Sequence, residues 1–114
     1  MKIVKDNINI LELKEMAKKM QYGLVKAMID VEKEIMSVDG ALHADLMEFL
    51  ISSEDSEPKN LWGINIFPDN SGDSFIEFDS MMNIKPGWGN RTRGVEDKEI
   101  QRKIINIVNK LVIK

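Results

Sequence analysis

Cysteine is absent from this chain of 114 residues, and histidine occurs once. Without cysteine there is no disulfide scaffold, no thiolate zinc site and no cysteine nucleophile. One histidine excludes a polyhistidine metal site within a single chain. No apolar run approaches the ~18 residues of a membrane span, so no membrane association is expected. The opening residues, MKIVKDNINILEL, carry acids and no long apolar stretch, which does not suit a secretory signal and predicts a cytoplasmic protein. What is present is a hydrophobic fraction of 43%, too high for disorder, in a length typical of one domain. A single globular domain over residues 1–114 is expected, able to bury roughly two-thirds of its unfolded surface.

The net charge of −3 conceals a gradient. Residues 1–57 hold 7 Lys/Arg and 12 Asp/Glu, a balance of −5. Residues 85–114 hold 8 and 3, a balance of +5. An acidic total disfavours non-specific nucleic-acid binding, while the basic end leaves room for a local patch. The same charges also suit the solvent face of a C-terminal helix.

Hydrophobic periodicity supplies the elements. Met1–Lys5 suits a short strand. Asn9 suits a helix N-cap, with Glu12 three residues on and Ile8 and Leu13 placed as a hydrophobic staple. Ile10, Leu13, Met16, Ala17 and Met20 form the stripe of a helix over residues 10–21, and Gly23 suits a left-handed cap. The period then falls to two. Val25, Ala27, Ile29 and Val31 alternate with Lys26, Met28, Asp30 and Glu32, and a turn near Glu32–Glu34 returns the chain as Ile35–Val38. His43 to Ser52 reads as a short helix burying Leu42, Leu46, Phe49 and Leu50. A hairpin follows, with Trp62, Ile64 and Ile66 opposite Ile76, Phe78, Met82 and Ile84, until Pro86 removes a ladder donor. Asp97 suits the cap of a last helix with the stripe Ile100, Ile104, Ile107, Val108 and Leu111. The order β-α-β-β-α-β-β-α predicts an α+β domain, with a mostly antiparallel sheet of about five strands and three helices. The alternating strands predict helices on one face and a polar opposite face.

The succession DVEKEIMSVDG, LHAD, NLWGINIFP, IEFDSMMNIKP and GNRTRGVEDKEIQRKI resembles a family of small uncharacterised bacterial and archaeal proteins. The resemblance runs from about Val25 to Leu111. Typical members show a Gly after the Glu-Lys pair, where this chain has Glu34. They often carry Gly-Ser-x-Gln before the Leu-Trp-Gly motif, where this chain has Asp55, Ser56, Glu57 and Pro58. The family is a domain of unknown function, so the resemblance implies a compact intracellular domain and no particular activity.

Three constellations are candidates for chemistry. The first is the loop Pro86–Gly94. Trp88 offers a flat face, Arg91 and Arg93 offer guanidinium forks, and Asn90 and the glycines 87, 89 and 94 lend themselves to an anion site before the last helix. No established phosphate motif matches. The competing reading is a turn, with Trp88 packed on the core and the arginines paired to Glu96, Asp97 or Glu99. The second is His43, a base or ligand only if an acid such as Asp30, Glu32 or Asp79 reaches it, because Asp45 at two residues' distance points away. The third is a polar sheet face of Asn65, Glu77, Asp79, Asn83 and Lys85, which suits either a hard cation or solvent. Met28 and Met81 fall on polar faces and, with Phe75, suggest apolar islands for a homo-oligomer or a protein partner.

No assembled catalytic motif emerges, and no cofactor or bound metal is expected. A non-enzymatic binding or interaction domain ranks first. Anion, nucleotide or RNA binding through the loop ranks second, with nucleic acid a weak partner. A metal-assisted hydrolase built on His43 and carboxylates ranks third.

Overall fold

A computed structural model describes residues 1–114, apart from the side chain of Gln21. Strand β1 (Lys2–Val4) and the short β2 (Ile8–Asn9) lead into helix α1 (Ile10–Lys18). Asn9 caps α1 as the sequence predicts, its side-chain oxygen accepting from the Leu11 N–H at 2.8 Å, a contact worth about 1 kcal/mol. The helix ends three residues before the predicted boundary, and Glu12 binds Lys2 rather than completing a capping box. Strands β3 (Val25–Asp30) and β4 (Ile35–Val38) form the first hairpin. Helix α2 (His43–Glu54), β5 (Leu61–Ile66), β6 (Ile76–Glu77) and α3 (Lys98–Leu111) follow, with a final β7 (Val112–Ile113).

Five strands form one antiparallel sheet in the order β1-β4-β3-β5-β6. The α+β class, the three helices and the five-stranded sheet agree with the sequence reading. A separate parallel pair, β2 with β7, joins Ile8 to Val112 and Asn9 to Ile113. Two-residue segments carry too little pattern to be seen in the sequence.

The expectation of one polar sheet face is corrected. Helices α1 and α3 cover one face, where Leu13, Met16, Ile104, Ile107, Val108 and Leu111 pack with Val25, Ala27, Ile29, Trp62, Ile64 and Ile66. Helix α2 covers half of the other, where Leu46 and Leu50 meet Met28, Ile35 and Leu61. Met28 is therefore fully buried rather than an exposed island, and Phe75 is buried as well. Asp30 is buried beside Met28, with both oxygens engaged. One accepts from the Glu32 and Lys33 N–H groups and closes the hairpin turn, and the other accepts from the Ser56 hydroxyl at 2.6 Å.

The predicted long strand after Ile76 is also corrected, because β6 stops at Glu77. The chain then leaves the sheet through tight turns at Met81–Asn83 and Pro86–Trp88. Side chains from these turns take over the free edge of β5. The Asn83 amide accepts from the Gly63 N–H at 2.8 Å and donates to the Gly63 carbonyl at 2.9 Å. The Lys85 ammonium donates to the carbonyls of Leu61 and Pro58. Asn83 and Lys85 thus belong to the interior and not to a solvated polar face. Their burial follows from the need to pair every backbone group of β5.

Candidate functional site

Beyond the reach of α2, the second sheet face lies open. Lys26 and Asn65 are cross-strand neighbours there, and Asn65 pairs in register with Glu77. The Asn65 amide donates to the Glu77 carboxylate at 2.8 Å, and its own oxygen is buried without a hydrogen-bond donor among the described residues. His43, the first residue of α2, lies along the same open region. Its Nε2 is 2.8 Å from the Ile64 carbonyl. A carbonyl only accepts, so Nε2 carries the proton and Nδ1 is the ring's free acceptor.

Burial is the largest influence on His43 and lowers its pKa below the ordinary value. The Ile64 carbonyl opposes that shift, Lys26 and Arg93 reinforce it, and Asp79 opposes it. The imidazole is therefore neutral at pH 7.

Arg93 closes one side. Its Nε donates to Asp79 at 2.6 Å, and its backbone oxygen is held by the Asn83 amide and the Ser80 N–H. Ser80 sits so close to β5 that a Cβ on Gly63 would fall 2.6 Å from the Ser80 Cβ and Oγ. Glycine at 63 is thus what lets the Ser80 turn and His43 approach the strand.

The result is a hollow of about 360 Å³ with Lys26, His43, Ser80 and Arg93 in its wall, flanked by Leu42, Met81 and Met82. Leu42 and Met81 are 56% and 68% exposed. A second hollow of about 460 Å³ shares Lys26 and continues past Asn65, Glu77 and Asp79 to Tyr22. Lys26 forms no ion pair within 4.0 Å among the described residues. In a protein of net charge −3, the first hollow has two cations and no carboxylate in its wall.

Five of the sequence candidates, Asn65, Glu77, Asp79, His43 and Arg93, are brought together here. Asn83 lies behind them as a support. Lys26, Ser80 and Leu42 went unrecognised as site residues, although Lys26 faces away from the apolar stripe of its own strand. The acids considered for His43 do not bond to it. Asp30 serves its own turn, Asp79 binds Arg93, and Glu32 is exposed. Among the described residues there is no group of three or more His, Cys, Asp or Glu able to hold a metal ion.

The loop Pro86–Gly94 divides. Asn90 is buried and works inward, its amide donating to the carbonyls of Asn83, Thr92 and Gly94 and its oxygen accepting from the Glu96 N–H. The N–H groups of Arg91 and Thr92 converge on one oxygen of Glu96, at 2.5 and 3.1 Å. The anion-binding backbone of the loop is thus occupied by the chain's own carboxylate. Trp88 is exposed rather than packed on the core, and the Arg93 side chain turns to Asp79. Trp88 and Arg91 line neither hollow.

No helix among the described residues is long and apolar enough to cross a membrane. A family model described as "Protein of unknown function (DUF5674)" matches residues 2–111. No curated protein and no solved structure matches the chain.

Proposed function

The chain belongs to the DUF5674 family of proteins of unknown function, and from that premise we propose that it is a small binding domain for an anionic ligand with an apolar flank. The ligand's carboxylate or phosphate sits between Lys26 and Arg93, and its hydrocarbon part lies against Leu42 and Met81. The observation that carries this reading is Lys26, a cation without a counter-ion beside a neutral His43 in an acid-free wall. An anion there gains a charge-assisted hydrogen bond without displacing an existing partner. Arg93 adds a second cation, already oriented by Asp79.

Binding is favoured over catalysis because the His43 ring is tied to a backbone carbonyl and no acid is bonded to it. This reading moves anion recognition from the Trp88–Arg91 stretch to the sheet face. We place the protein in the cytoplasm, which suits its lack of cysteine and its acidic composition.

Octanoate and inorganic phosphate are suitable probes, titrated while the single histidine is followed by NMR. Octanoate is expected to shift the His43 ring signals and raise its pKa, since bound negative charge stabilises the imidazolium. Lys26→Met is expected to weaken that binding about tenfold, the worth of one charge-assisted contact. Equal affinity in Lys26→Met, or no response at His43, overturns the proposal.

A further inference from the structure

The second hollow beside Lys26 carries charges of both signs. Lys19, Lys26, Glu77 and Asp79 line it. Two of the four are already neutralised, Lys19 by Asp39 at 3.2 Å and Asp79 by Arg93 at 2.6 Å. Lys26 and Glu77 remain. Neither forms an ion pair among the described residues, and the Glu77 carboxylate is held by the Asn65 amide.

The strand register explains why these two charges share a site without meeting. Lys26 stands directly opposite Asn65, and Asn65 directly opposite Glu77. Residues paired in this way point to the same face, so all three side chains rise from one side of the sheet. With neighbouring strands roughly 5 Å apart, the backbones beneath Lys26 and Glu77 are about 10 Å apart. Asn65 fills the gap between the two unbalanced charges.

That amide has a bond to spare. Asn65 is 7% exposed, its nitrogen donates to Glu77, and its oxygen has no donor among the described residues. Swapping the amide's nitrogen and oxygen would set two acceptors, the Asn65 oxygen and the Glu77 carboxylate, against each other. An amide oxygen only accepts, so what suits it is a hydrogen-bond donor. The unpaired carboxylate beside it suits a positively charged donor, and Lys26 suits a negative acceptor. A simple carboxylate satisfies Lys26 alone and brings its charge toward Glu77 and Asp79. A zwitterion satisfies all three groups.

We propose that the ligand is an α-amino acid with an apolar side chain. Its carboxylate binds Lys26 and Arg93, its ammonium binds Glu77 and the Asn65 oxygen, and its side chain lies against Leu42 and Met81. The proposal rests on the anion-binding reading for the carboxylate and the apolar flank, and adds the ammonium. The two charged groups of an α-amino acid hang from one carbon, and the long side chains of Lys26 and Glu77 close the remaining distance. Because the Asn65 oxygen is closed to solvent, Lys26 and Glu77 part around the ligand to admit the ammonium.

The probes are α-aminooctanoate, octanoate, which lacks the ammonium, and heptylamine, which lacks the carboxylate. Each is titrated by NMR and read at the His43 ring and the Asn65 side-chain amide. α-Aminooctanoate is expected to bind at least about tenfold more tightly than octanoate, the worth of one charge-assisted contact. It should also bind more tightly than heptylamine and move the Asn65 amide signals further than octanoate does. Glu77→Gln keeps an acceptor for the Asn65 amide and removes the charge. In that variant the preference for α-aminooctanoate over octanoate should largely vanish. If octanoate moves His43 and α-aminooctanoate binds no more tightly, the zwitterion is overturned and the anion site stands. If neither ligand moves His43, both fall. A preference for α-aminooctanoate that Glu77→Gln leaves intact overturns the placement of the ammonium, and with it the proposal.

Discussion

The Asn83 side chain stands in for a strand beside Gly63, receiving its N–H at 2.8 Å and supplying its carbonyl at 2.9 Å. A third bond, from the same amide to the Arg93 carbonyl at 2.9 Å, ties this substitute edge to the hollow beside Lys26. One side chain thus both completes the sheet and sets the position of Arg93.

Asn83→Ala should therefore cost far more than a surface change. It leaves the N–H and C=O of Gly63 without partners in a buried setting and removes one of the two bonds to the Arg93 carbonyl, which keeps only the Ser80 N–H. A loss of about 3 kcal/mol is expected, since each orphaned buried group costs about 1–3 kcal/mol and water recovers part of it. Urea unfolding checks this through a lower midpoint at unchanged slope. An unchanged midpoint would mean that the substitute edge contributes nothing.

Lys85 predicts an alkaline effect. It is buried with no carboxylate partner, donates to two carbonyls, and lies 4.0 Å from the centre of the Trp62 ring. Burial pulls its pKa from the usual 10.5 to about 8. Between those values the unfolded chain binds more protons than the folded one, so this group makes stability rise with pH from about 8 to 10.5. The ceiling of the gain is about 3 kcal/mol, and the carbonyls and the indole face hold the measured value below it. Lys85→Met should lose this rise, seen by comparing urea midpoints of the two proteins across the same pH range. Parallel pH profiles would refute it.

His43 predicts an acid effect of the same sign. Its folded pKa lies below 6.5, so its contribution is fully present above pH 6.5 and is lost as pH falls toward the folded value. Because it is the only histidine, its ring signals report the titration without assignment. A midpoint below 6.5 is expected, together with a His43→Gln variant whose stability no longer responds to pH in that window. A midpoint at or above 6.5 would contradict the neutral ring.

Local signals were legible where the element contains its own partner. The caps at Asn9 and Asp97 each bond to a backbone N–H two residues on, and the α3 stripe runs from Ile100 to Leu111 of a 14-residue helix. The turns from Phe78 to Gly94 were not legible, because Phe78, Met82 and Ile84 continue a strand-like alternation that the backbone does not follow. Nothing in the chemical type of Asn83 or Lys85 announces that its partner is a carbonyl or amide of β5. The second covered face was hidden for a similar reason. Lys26, Asp30 and Glu32 make β3 look half polar, yet Asp30 satisfies itself with Ser56 and its own turn. The candidate site was half visible. Its polar residues stood out singly, while their gathering depended on Gly63 admitting Ser80.

The pairing of β2 with β7 bears on the order in which the molecule is made. Ile8 lies against Val112, and the core of Leu13 and Met16 is completed by Ile104, Ile107 and Leu111. Contacts across such a separation close the largest loop in the domain, and their reward comes only after that closure. During synthesis the first helix has only the sheet to pack on until α3 has left the ribosome, so part of its apolar side stays uncovered. Folding of this domain is then completed only once α3 has emerged, and the uncovered part of the α1 stripe is the surface for which a chaperone would compete.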